Sequence, residues 1–167
     1  MTEKTRHAVN LGELQLDHWQ QGDFFSSSDV SFGALLGLKD LGISYNEVPS
    51  GKSGCPFHNH HVEEELFVIL DGEGEYRFGS ERILVAKGDV MGAPAGGHET
   101  AHQLINIGPG VLIYLVISTK AQTEIVEYPD SGKFMAKTNR LGETPRRFSF
   151  IGREGGAVDY WDGETGA

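Results

Sequence analysis

Apolar residues along this chain fall in short runs separated by glycine-rich turns, and no stretch carries a convincing amphipathic helix. Ile43, Tyr45 and Glu47 alternate with Ser44, Asn46 and Val48, an imperfect period of two. Val30–Leu38 and Gly42–Val48 therefore predict a strand pair joined across Lys39–Asp40. Strand-length segments follow at Phe57–His60, Glu65–Leu70, Glu73–Phe78, Arg82–Ala86, Val90–Ala93, His102–Ile107, Val111–Ser118 and Thr123–Glu127. Asp71–Gly72 predicts a tight hairpin and Gly79–Ser80 a second. Lys87–Asp89, Pro94–Gly97 and Gly108–Gly110 are further turns. Short strands at regular spacing predict an all-β sandwich or barrel.

The pattern weakens at both ends. Residues 1–29 read as a polar, irregular N-terminal arm that packs through Trp19, Phe24 and Phe25, with His7 and His18 on the surface. Residues 30–135 hold the barrel. Residues 136–167 read as a C-terminal arm packing on it, partly ordered by Phe148, Phe150, Tyr160 and Trp161. Arg146–Arg147 offers an anion contact but reads first as a solvated surface pair. Pro49–Gly54 is a loop without the spacing, or the following helix, of a phosphate-binding loop.

Composition narrows the function. The 167 residues suit one domain with arms. A formal net charge of -10 repels nucleic acid and anionic membranes. Cys55 is the only cysteine, so no internal disulfide forms, consistent with a reducing cytosol. The opening residues lack the apolar core of a secretory signal, and Val111–Ile117 is too short to span a bilayer. The expectation is a cytoplasmic protein with neither nucleic-acid nor membrane partners.

The chemistry concentrates in Cys55–Gly72. Five of the seven histidines fall between residues 58 and 102. On a strand, His58 and His60 point the same way and His61 the other, which makes His61 a rim or supporting residue. An unbroken strand would put His60 and Glu65 on opposite faces. Either the chain turns at His61–Glu64 and Glu65 returns on a neighbouring strand, or Glu64 is the ligand. His98 and His102 compete for a third imidazole position. His102 begins an apolar strand and shares a face with Leu104 and Asn106, which favours it. Three neutral imidazoles and a carboxylate suit one divalent transition metal per chain, such as iron, manganese, zinc or nickel. Cys55, at an odd offset from His58, reads as a small buried residue. Tyr45, Glu64 and His98 are the candidates for a catalytic acid or base.

At these residues the sequence resembles the cupin superfamily, and in particular small single-domain bacterial cupins. The family's first motif, G-x5-H-x-H-x3,4-E-x6-G, is matched by His58, His60, Glu65 and Gly72, with Lys52 in the leading glycine's slot. The second, G-x5-P-x-G-x2-H-x3-N, is matched by Gly88, Pro94, Gly96, His102 and Asn106, with five residues instead of two between Gly96 and His102. The motif registers support Glu65 over Glu64 and His102 over His98. Glu127–Lys133 is also similar to the ends of such cupins.

The resemblance implies a double-stranded β-helix, or jelly-roll, barrel, a metal inside it held by His58, His60, Glu65 and His102, and a homodimer. The expected function is a metal-dependent enzyme on a small polar or anionic substrate, of dioxygenase, decarboxylase or isomerase type. The alternative is a cupin that binds or senses a small ligand without turnover.

Overall fold

A computed structural model describes residues 6–139 and 147–166. Arg146 lies outside the described residues, as does the side chain of Arg147. Among the described residues there is no α-helix, only four short 3-10 turns, and no helix is long and apolar enough to cross a membrane.

The strands are β1 (Asp17–Gln21), β2 (Phe25–Ser31), β3 (Leu41–Val48), β4 (Asn59–His60), β5 (Glu65–Asp71), β6 (Glu73–Phe78) and β7 (Glu81–Ala86). They continue as β8 (Val90–Ala93), β9 (His102–Asn106), β10 (Leu112–Thr119), β11 (Thr123–Tyr128), β12 (Lys133–Asn139) and β13 (Arg147–Gly152). One layer runs β1-β2-β3-β10-β5-β8. The other is built from β7-β6-β9 and β4-β11-β12-β13. A two-bond bridge stitches these two pieces together: His58 N donates to His102 O at 3.1 Å, and His102 N donates to His58 O at 2.7 Å.

From β3 to β10 the chain repeatedly crosses between layers, with only β6 and β7 adjacent as a hairpin. This is the jelly roll. Its sheets remain open layers and do not close into a hydrogen-bonded barrel. Between them lie Val48, Phe67, Ile69, Met91, Ala93, Leu112 and Tyr114 from the first layer and Tyr76, Val85 and Leu104 from the second. Burying a side chain such as Leu104 or Leu112 contributes roughly 2 kcal/mol. The buried side chains of β5 and β10 alternate, as period-two strands with one face on a core must.

Asp71–Gly72 is not a hairpin. It is a corner at which the chain leaves one layer for the other, since β5 pairs with β8 and β10 while β6 pairs with β7 and β9. Gly72 has φ of +88°, and a Cβ there would meet Val111 O at 2.7 Å. Gly79–Ser80 does close a hairpin, between β6 and β7.

At the N-terminal side, β1 and β2 pair with each other and β2 pairs with β3. Leu35 and its neighbours, expected to continue the strand before β3, form a 3-10 turn over Gly33–Leu36. β1 carries little apolar signal because it is an edge strand with most of its side chains in solvent. Trp19 Nε1 donates to Asp29 Oδ2 at 2.6 Å and ties that edge down. At the other end, the β12–β13 ladder orders the chain by backbone pairing, while Phe148, Phe150, Tyr160 and Trp161 stay exposed.

Candidate metal centre

The site sits where β4 wedges between β9 and β11. Val126 pairs with His60 and Glu127 with Asn59, while His58 bridges to His102. The loop leading into β4 is held by Ser53, whose hydroxyl donates to Leu104 O at 2.9 Å, and by Gln103 Nε2, which donates to Cys55 O at 2.9 Å. Arg77 stacks on Phe57, 3.6 Å from its ring centre, and forms a two-pronged pair with Asp130 at 2.6 and 2.8 Å. Asn106 closes the next turn, donating to Val48 O and Gly110 O at 2.8 Å each. These contacts fix the backbone from which His58, His60 and His102 project.

Glu65 opens β5 in the facing layer, paired with Ala93 and Ser118. The chain turns between His60 and Glu65, so the two residues meet across the interior and not along one strand. Donor atoms of His58, His60, Glu65 and His102 all lie within 4.8 Å of one another. Glu65 Oε2 is 3.0 Å from His102 Nε2 and 3.8 Å from His58 Nε2, and Glu65 Oε1 is 3.8 Å from His60 Nε2. The Phe67 ring packs against His102 at 5.5 Å.

The donor set fits a cation. His58 Nδ1 is 2.8 Å from Pro56 O, and His102 Nδ1 is 3.1 Å from Thr100 O. A carbonyl only accepts, so each Nδ1 carries the hydrogen and each Nε2 presents a lone pair. The lone pair of His102 Nε2 then faces an oxygen of Glu65 at 3.0 Å, an approach that calls for a proton or a metal ion between two acceptors. Both ring nitrogens of His60 are buried without a hydrogen-bond partner.

Electrostatics point the same way. Burial, reinforced by the neighbouring His102, pushes His58 down to about 4. Burial also lowers His60, despite the opposing charge of Glu65. Burial alone would raise Glu65, but the close approach of His102 and the nearby His60 and His58 hold it below the usual carboxylate range. At neutral pH, His58, His60 and an ionised Glu65 are thus in metal-binding form. Side-chain exposure is 12% for His58 and 14% for Glu65 against 1% for His102, so the cluster opens on the His58–Glu65 side. A mostly apolar groove of about 380 Å³ runs beside β5, lined by Leu41, Glu64, Glu65, Leu66, Pro94 and Ile117 and by none of the three histidines; the exposed Leu66 places it on the side of the sheet away from the cluster.

Other residues singled out in the sequence lie around this cluster. Glu64 is exposed on that groove. Tyr45 donates to Glu47 Oε1 at 2.9 Å, and burial pushes its hydroxyl up to about 12. His98 is exposed, with Nε2 3.6 Å from Glu127 Oε2, and His61 Nε2 approaches the same oxygen at 3.1 Å. Burial pushes the Cys55 thiol up to about 12, so it stays protonated beside the site.

Four residues near the site escaped the sequence reading. Tyr128 sits against His58 with ring centres 6.3 Å apart. Glu127 accepts from Asn59 Nδ2 at 3.0 Å. Glu63 and Glu124 are buried behind His60. A Glu in TEIVEY or HVEEE reads as solvated charge, and only its partners in space reveal otherwise.

Comparison with known proteins bears on the same segment. Residues 45–118 match the family model described as the cupin domain. An uncharacterised protein of Methanocaldococcus jannaschii is 36% identical over 84 residues, which is 48% of this chain and 64% of that protein. A solved structure from Acidithiobacillus ferrooxidans, provisionally named a sugar phosphate isomerase, is 26% identical with a TM-score of 0.67, covering 83% of this chain and 86% of that one. A cupin from Silicibacter pomeroyi, also named a sugar phosphate isomerase, has a TM-score of 0.69 at 20% identity, covering 81% and 82%, and shares the fold.

Proposed function

We propose, for a chain that belongs to the cupin superfamily, a metal-dependent enzyme acting on a small polar, anionic substrate. His58, His60, Glu65 and His102 hold one divalent transition metal (iron, manganese, zinc or nickel), and catalysis takes place on the open His58–Glu65 side. The observation that carries this reading is the convergence of four donors within 4.8 Å, buried on one side and accessible on the other. A purely structural site would be closed. A divalent ion in this position supplies Lewis-acid polarisation of a substrate carbonyl or hydroxyl.

Among isomerase, decarboxylase and dioxygenase chemistries, isomerisation of a sugar phosphate comes first. The Acidithiobacillus protein supports it, being alike over most of both chains. Such a reaction moves a proton between neighbouring carbons. Glu64, exposed and next to Glu65 in the chain, is the base candidate assigned to that transfer. The same reading includes a homodimer in the cytoplasm. Exposed Phe148, Phe150, Tyr160 and Trp161 support the first and the lone Cys55 the second.

One observation favours binding without turnover: Tyr45 and His98 are engaged with Glu47 and Glu127 and not with the four-residue cluster. Elemental analysis of untagged protein purified without chelator, beside His58→Ala and His102→Ala, tests the reading together with assays on sugar phosphates and keto acids. The expected result is near-stoichiometric metal in the wild type, lost with turnover in both variants. Well-folded wild type that takes up no metal on add-back overturns the metal centre. Metal binding with ligand stabilisation but no consumption leaves the binding alternative.

A further inference from the structure

A second carboxylate cluster lies directly behind His60. Glu124, on β11, is fully buried, yet its carboxylate is well served. Oε1 accepts from the backbone N–H of His61 at 3.0 Å, Val62 at 3.1 Å and Ile125 at 2.8 Å, and Oε2 accepts from Glu63 N at 2.6 Å. Glu124 thereby folds the turn that separates His60 from Glu65. Glu63, also buried, accepts from Ala121 N at 2.9 Å and from Lys137 Nζ at 3.0 Å.

Both carboxylates face one atom. His60 Nδ1 lies 3.8 Å from Glu124 Oε2 and 3.9 Å from Glu63 Oε2. That nitrogen is buried without a hydrogen-bond partner. His58 and His102 differ, since each directs its Nδ1 to the carbonyl two residues before it. His60 is thus the one imidazole of the three that is backed by negative charge.

His60, Glu63 and Glu124 also have the spacing of a cation site. Two facts argue against a second ion. Lys137 already places an ammonium on Glu63, and the Glu124 oxygens already receive four N–H groups. What the gap lacks is one hydrogen, and His60 Nδ1 can supply it with a small tilt of the ring. A buried donor facing two buried acceptors is strongly biased to that tautomer, because the other leaves a lone pair against two carboxylates.

We propose that Glu124, assisted by Glu63, is a positioning residue that holds His60 in the Nδ1–H tautomer and so aims its Nε2 lone pair at the metal. The same carboxylate couples that orientation to Glu65 through the 61–63 turn, so the two sides of the shell are set by one buried group. This rests on the metal-centre reading for its consequence, though not for its geometry.

The test has a metal-free and a metal-bound arm. Long-range ¹H–¹⁵N correlation spectra of metal-free protein near neutral pH report the His60 tautomer in wild type, Glu124→Gln and Glu63→Gln. Competitive titration with Zn(II) reports affinity in wild type, Glu124→Gln, His60→Ala and the double variant. The expected spectra show Nδ1–H in the wild type and a shift toward Nε2–H in Glu124→Gln. The expected affinity loss in Glu124→Gln is about 10–100-fold, with no further loss once His60 is absent. Nε2–H in the wild type overturns the proposal. So does unchanged affinity, or an equal loss in the His60→Ala background, which would make Glu124 merely structural. If the wild type binds no Zn(II) but the tautomer shifts as expected, the metal reading fails and the positioning role stands. If Glu124→Gln does not fold, Glu63→Gln carries both readouts, because it leaves the backbone bonds of Glu124 intact.

Discussion

Acidification should destabilise the metal-free protein through His58 before ordinary carboxylates protonate. Burial, with His102 beside it, holds this imidazole near 4 in the folded state against 6.5 when unfolded. Between those values the unfolded chain binds a proton that the folded chain refuses. Stability is therefore fully present above about pH 6.5 and drains away as pH falls toward 4. The slope is about 1.4 kcal/mol per pH unit, so the whole window is worth about 3 kcal/mol. For a chain of this size that is a fall of roughly 6–12 °C in melting temperature.

The assay is urea unfolding of chelator-treated protein at several pH values across the window, for wild type and His58→Gln. Glutamine keeps a polar side chain of similar reach but cannot take up the proton. His60, also lowered by burial, adds loss of the same sign in both proteins and cancels in the comparison. The expected result is a shallower pH dependence in the variant, by about 3 kcal/mol across the window. Parallel curves would refute the reasoning, whatever the absolute stabilities, because they would mean that His58 takes up its proton equally in both states.

Backbone and core predictions can be checked by the same unfolding measurements. Gly72→Ala should cost well above about 2 kcal/mol, since it adds a Cβ against Val111 O to the usual penalty of a left-handed residue. Gly88→Ala, at φ of +96° but with open space around the new methyl, should cost only about 1–2 kcal/mol. Equal losses at the two glycines would remove the steric part of the argument. Leu104→Ala, in the packed layer between the sheets, should cost about 2–5 kcal/mol and leave far-ultraviolet circular dichroism unchanged.

The strand segments between residues 41 and 128 were legible as short apolar runs bounded by turns, whereas β1, an exposed edge strand, and most of β12 and β13 lie in segments that read as arms. Glu73–Phe78 and Val90–Ala93 form strands with the bounds expected of them. Turn positions were equally legible, because Gly72, Gly79 and Gly88 adopt positive φ values that most side chains avoid. Pairing was another matter. Asp71–Gly72 has the local chemistry of a hairpin, yet the strands on either side of it enter different layers. A turn residue sets the backbone angle at one point, and the burial of both flanking strands decides which way each then goes.

The four residues that converge at the centre stand out by spacing and motif resemblance, because a small donor cluster leaves a compressed trace in the chain. Parity left Glu64 and Glu65 open, and only a turn whose path is set in space brings Glu65 to three imidazoles. Glu124 left no such trace. Its neighbours in sequence are those of any exposed strand, and its burial is created by backbone N–H groups some sixty residues away. Most strand positions between residues 41 and 128, the turn glycines and the residue types of the candidate shell could be read along the chain, because these rest on local geometry and side-chain type. The layer crossings, the open face of the cluster and the charge behind His60 were decided only by tertiary structure, because burial and electrostatic environment belong to groups that meet across the fold.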